Sequence, residues 1–262
     1  MQRYWRLYKA FWRASFIREA EFRANFWAKI ATNLLWIGFF VVTLQIVFDH
    51  TKQVAGWSRE EAFLLTATCL FLESVVYTLF HGGLVEIPSM VRTGTLDFAL
   101  FKPADSQFWL SARRVSLDQT GSLIGAFALG AYALSKMQTL PNWERFGLYF
   151  LMILCGMLIF YSFYFMLMTL GIWFVRVENL WALMEVYAQT ARFPTDIFDA
   201  VLRRIFTYFL PVAFLATIPA KALLGRASPA FLAFAAVWAI AFFVFSRMFW
   251  RFSLRHYSSA SS

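Results

Sequence analysis

A chain of 262 residues has the length of one or two soluble domains, but its composition excludes that class. Hydrophobic residues make up 60% and charged residues 15%, against roughly 25% charged in a globular domain; 32 Phe, 11 Trp and 10 Tyr are more rings than a soluble interior of this size can hide. The formal charge of +9 gathers at the ends of apolar runs, which assigns it to membrane topology rather than to nucleic acid, and the chain reads as an all-α polytopic membrane protein.

In chain order, residues 1–28 are predicted to form an amphipathic helix. At 100° per residue, Tyr4, Trp5, Tyr8, Phe11, Trp12 and Phe16 share one face, and Arg3, Arg6, Lys9 and Arg13 share the opposite one. A ring-rich face opposite a basic face suits a helix lying in the headgroup layer. Arg18, Glu19, Glu21 and Arg23 interrupt the apolar core that a cleavable signal would need. A span takes about 20 mostly apolar residues. That rule predicts six, at about 30–48, 62–80, 118–135, 146–175, 178–198 and 227–249. Between the last two, residues 202–224 carry no long run, and Pro211 and Pro219 predict a broken, re-entrant helix pair there. The tail 258–262 is small and polar, with no means of building a core.

Lys and Arg counts orient the spans. With both termini inside, the inner segments hold 15 (Arg176 among them) and the outer segments 9. Gly121 and Gly125 form a small-xxx-small step in the third span that permits close helix approach. Cys69 and Cys155 each lie inside an apolar run, and neither a disulfide framework nor metal-ligand spacing is visible.

Catalytic patterns are missing. The chain has no Gly-x-x-x-x-Gly-Lys-Ser/Thr phosphate loop, no His-Glu-x-x-His pair and no Gly-x-Ser-x-Gly elbow, so it reads as a non-enzyme. Polar residues within spans are the remaining candidates. Glu73 sits inside the second span, where a charge costs at least ~2.5 kcal/mol if it faces lipid. It is either a cavity carboxylate or a hydrogen-bonded packing residue. In the fifth span Glu178, Ala182, Glu185, Gln189 and Arg192 follow steps of three and four and share one stripe, which is either a water-lined path or a helix seam.

The most specific segment is the loop after the second span, residues 86–103. Pro88 suits the start of a short helix and Gly94 its left-handed stop. A second turn from Leu96 to Phe101 ends at Pro103. Taken alone, this is a tidy interhelical loop. The string Arg92-x-Gly94-x-Leu96-Asp97-x-x-Leu100-x-x-Pro103, with the later Phe193-Pro194 and the run from Leu210-Pro211 through Pro219 to Gly225, resembles permeases of ABC transporters of the ABC-2 type, in their small non-fused branch. The likeness covers nearly the whole chain.

The resemblance implies a six-span exporter subunit with an N-terminal elbow helix and a re-entrant outer pair. It implies a cytoplasmic coupling helix over about 87–101, with Glu86, Ile87, Arg92, Gly94, Leu96, Asp97, Leu100 and Pro103 coupling to a separate ATPase. Two ATPase subunits carrying ATP and Mg, a second permease (identical or related) and the bacterial cytoplasmic membrane complete the expectation; no cofactor is expected on this chain. Glu73, Glu185, Gln189 and Arg192 are candidates for the translocation path on the residues alone. A proton-coupled carrier using Glu73 and Glu185, or a non-transporting scaffold, is the alternative.

Overall fold

The computed structural model describes residues 2–21, 23–137, 140–174 and 180–257. Arg176, Glu178 and the tail 258–262 therefore lie outside the described residues. Helix α1 (Gln2–Glu21) precedes α2 (Arg23–His50). Helix α3 (Arg59–Val76) starts at a capping box in which Ser58 and Glu61 satisfy each other's backbone N–H. It runs on through a π-turn at Tyr77–His81 and the short α4 (Gly82–Leu84). After α5 (Ile87–Arg92), α6 (Leu96–Leu100) and α7 (Ser106–Ala112) come α8 (Thr120–Lys136) and α9 (Trp143–Thr169). Helices α10 (Leu180–Thr190), α11 (Ala200–Arg204), α12 (Thr217–Leu223) and α13 (Pro229–Leu254) complete the chain.

Four helices are long and apolar enough to cross a membrane: Ala24–His50, Arg59–Arg92, Trp143–Ile172 and Pro229–Leu254. The third and fifth expected spans are shorter. Helix α8 has 17 residues and α10 has 11, so α10 rises only about 16 Å. The expected helix over 178–198 stops at Thr190 because Pro194 bars Phe193 from helical geometry. Arg192 consequently stands in a turn rather than on a helical stripe.

The re-entrant segment also differs from expectation. The chain breaks at Leu210–Pro211, and again at Ala216, whose φ of −145° and ψ of −49° are not helical. Pro219 breaks nothing. It sits in the first turn of α12, where its missing N–H is no loss.

The core runs along α3 and α9. Phe160, Tyr164 and Phe165 of α9 are fully buried against Leu65, Leu72 and Val76 of α3. Two glycines permit the closest approaches: a Cβ on Gly156 would stand 2.3 Å from the Phe214 carbonyl oxygen, and one on Gly83 would stand 2.1 Å from that of Leu110. The Gly121/Gly125 step is the α2–α8 seam, since a Cβ there would meet the Ile30 carbonyl at 2.8 Å and Ile37 Cδ1 at 2.5 Å.

Contacts define two ends of the bundle. At one end, Ser15 of α1 accepts from the Val115 amide (3.1 Å), Tyr4 from the Asp105 amide (3.2 Å), and Lys29 of α2 pairs with Asp118 (2.6 Å). The C-terminal part of α13 is tied to the same end: Arg247 pairs with Asp105 at 2.5 Å and Trp250 donates to Ser106 at 3.0 Å. At the other end, Trp57 donates to Asp196 (3.0 Å), Lys221 pairs with Asp196 (2.8 Å) and Arg226 with Glu61 (2.5 Å). The beginning of α1 and the end of α13 thus share an end.

Candidate functional site: an intramembrane cavity and an end-on helical loop

A cavity of about 600 Å³ lies between α2, α3, α8 and α10; Glu73, Ser74 and Tyr77 line it from the last turn of α3, where the π-turn over Tyr77–His81 begins. Glu73, Glu185, Gln189 and Arg192 all line it. The four polar candidates, chosen from two separate stretches of sequence, therefore meet at one place. Arg192 reaches across from its turn and donates to both Glu73 oxygens, at 3.2 and 3.4 Å. That contact keeps both charges compensated where water is scarce. Glu185 is half-buried and has no hydrogen bond or ion pair among the described residues.

Residues that sequence reasoning missed complete the walls. Trp36 and Phe40 come from α2, Tyr77 from the π-turn, Trp181 from α10, and Phe193 from the turn beyond it. The Ser74 hydroxyl and Tyr77 hydroxyl are buried at the cavity with no partner among the described residues. Their signal in the sequence is faint, because Ser and Tyr are ordinary in spans. Rings from 160 to 165, by contrast, are mostly core: Phe160, Tyr161, Tyr164 and Phe165 are buried.

At the α1/α13 end, α5 and α6 form the loop anticipated from Pro88 and Gly94. Pro88 lies in the first turn of α5, and Gly94 takes φ +69° between the two helices. The loop candidates divide by what they touch. Ile87 and Leu96 are fully buried in the protein's own core. Pro88 lies so close to Gly171 beyond α9 that a Cβ there would approach to 2.8 Å. Glu86 is bound by Arg113 and Arg114. Arg92 and Pro103 are exposed, while Gly94, Asp97 and Leu100 are half-buried. The loop's exposed large hydrophobic side chains are two that the motif did not single out, Phe98 (71%) and Phe101 (85%).

Asp105 heads α7 and anchors this end. Burial works to raise its carboxyl, but the Arg247 hydrogen bond, the Phe108 amide and the Arg247 and Arg251 charges outweigh it and hold the group below its ordinary value.

Long apolar helices around a cavity that holds charged side chains, with paired loops gathered at both ends, define a multi-pass α-helical integral membrane protein. The family model for ABC-2 family transporter proteins matches residues 34–261, and the chain belongs to that family. It is accordingly a permease component of an ABC transporter, a class of membrane chain that associates with an ABC ATPase. No curated protein and no solved structure matches it.

Proposed function

We propose that the chain is the membrane subunit of an ATP-driven exporter. Two permeases, identical or related, stand on two separate ATPase subunits in the bacterial cytoplasmic membrane with both termini cytoplasmic. ATP and Mg are bound on the ATPases and not on this chain. Six crossings follow if α8 and the short α10 join the four long helices, with α11 and α12 forming a re-entrant pair at the outer end and α1 lying in the inner headgroup layer.

The observation that carries the reading is the α5–α6 loop. Its inner face, Ile87 and Leu96, is held in the core, while Phe98 and Phe101 project from the bundle beside exposed Arg92 and Lys102. An exposed ring pair on a short helix fits a groove on a soluble partner. Because Ile87 leads through the π-turn to the cavity, displacement of the loop by ATPase closure is transmitted along one continuous element to Glu73. The proton-driven alternative gains little from the geometry, since Arg192 already engages Glu73.

Purification of the tagged chain from its host in mild detergent tests this. The expected result is a stoichiometric partner carrying a phosphate loop, with Phe101→Asp abolishing its retention while the melting temperature stays unchanged. A chain that arrives alone and moves protons in liposomes overturns it.

A further inference from the structure

The cavity invites a substrate class, and the inference rests on the transport reading just given. Glu73 and Arg192 compensate one another through two contacts. Glu185 then lines the cavity with no hydrogen bond or ion pair of its own among the described residues, and shares with Glu73 the field of a single guanidinium. Around it stand the rings of Trp36, Tyr77 and Trp181, whose negative faces attract a cation within about 6 Å. The buried hydroxyls of Ser74 and Tyr77, unpartnered among the described residues, add acceptors for a donor group. Apolar side chains, Ile37 and Leu70 among them, complete the lining. We infer that the cavity binds an amphiphilic monovalent cation, with its charge at Glu185 and the aromatic faces and its body against the apolar side chains of the lining.

The rival ligand is an amphiphilic anion held by Arg192. Only its Nη2 reaches Glu73, and its Nε is buried without a partner among the described residues; two carboxylates against one guanidinium nevertheless line the cavity, and that balance favours a cation over an anion.

Tetraphenylphosphonium and tetraphenylborate have nearly the same shape and opposite charge, and so separate the two. Both are titrated, by quenching of tryptophan fluorescence, against the full chain in phosphatidylcholine nanodiscs, with empty discs subtracted. The expected result is at least tenfold tighter binding of the phosphonium ion. Glu185→Gln abolishes that preference and Glu185→Lys reverses it. Equal binding of the two ions by the wild-type protein, a preference for the borate, or an unchanged preference in Glu185→Gln overturns the inference. The wild-type comparison stands even if a variant fails to fold. The assay contains no ATPase, so the two readings fail separately. A chain that recruits its ATPase but shows no ion preference loses only the cation assignment. One that prefers the cation but recruits no ATPase loses only the ATP-driven mechanism.

Discussion

Arg192 and Glu73 stand 119 residues apart in the chain, yet they share the cavity's one internal ion pair among the described residues. Their side chains are 25% and 10% exposed, so each has given up most of its hydration. Removing one partner leaves the other stranded, which costs about 3 kcal/mol at the low end for buried pairs. Arg192→Ala should therefore lower the melting temperature markedly, and the double variant Glu73→Gln/Arg192→Gln should recover most of the loss; thermal scans of wild type and the two variants in one detergent check this. A double variant no better than Arg192→Ala would mean that the pair is not what stabilises the turn. Asp105 gives a prediction in pH. Its folded pKa lies below the ordinary 3.8, so its contribution is fully present above about pH 4 and is lost as pH falls through the lower, folded value. Asp105→Asn should thus melt below wild type at pH 7, and the gap should narrow as pH falls below about 4. Glu73 is legible in the sequence because a charge interrupts an apolar run. Its partner is legible only as one polar residue among several, since the turn that aims Arg192 arises from Pro194 further along.

At the scale of elements, helix α9 is held by what its glycines lack. Gly156 sits beneath the break that follows Pro211, and a methyl group there would press on the Phe214 carbonyl oxygen. Backbone cannot yield as a flexible side chain can, so Gly156→Ala should destabilise by about 3 kcal/mol, toward the upper end for overpacking. Gly147, on the same helix, has nothing within 4 Å of an added Cβ. Gly147→Ala should be neutral, or stabilise by about 0.5–1 kcal/mol through helix propensity. Unfolding of both variants side by side measures the difference, and equal effects would show that α9 does not approach the re-entrant segment closely. The contrast also marks what sequence can say about elements. Long charge-free runs announce α2, α9 and α13, because length and hydropathy are local properties. The short α10 and the innocuous Pro219 are not legible in the sequence, because position within a helix decides what a proline does: at Pro194 it forbids the helical turn before it, while at Pro219 it costs nothing. The loop motif was legible through Pro88 and Gly94, whose backbone roles are local. Which loop residues face outward depends on Gly171 and the core beneath, and motif spacing carries none of that.

For the whole molecule, sidedness follows from two independent features. Cross-links gather α1, α5 to α7 and the end of α13 at one end, and the loops near Trp57, Gly225 and Asp196 at the other. Counted by segment the basic residues divide in the same sense, 15 to 9; apart from Arg176, outside the described residues, and Arg192, in the cavity, the richer set belongs to the end bearing α1. Positive charge resists translocation, so that end should be cytoplasmic. With Cys69 and Cys155, both buried, replaced by Ala, single cysteines can report the side directly. Lys52→Cys and Leu140→Cys should react with an impermeant maleimide in intact cells; Lys102→Cys and Arg255→Cys should react only in inverted vesicles, all four positions being exposed. Labelling of Lys102→Cys from outside would put Phe98 and Phe101 beyond reach of any cytoplasmic ATPase and remove the basis of the coupling mechanism. Labelling of position 140 from the cytoplasm alone would instead mean that the 17-residue α8 does not cross. Reaction at 52 and 140 outside and at 102 and 255 inside would leave an arrangement in which the loop meets ATP-driven motion at one face and the cavity lies one π-turn above it, within the membrane.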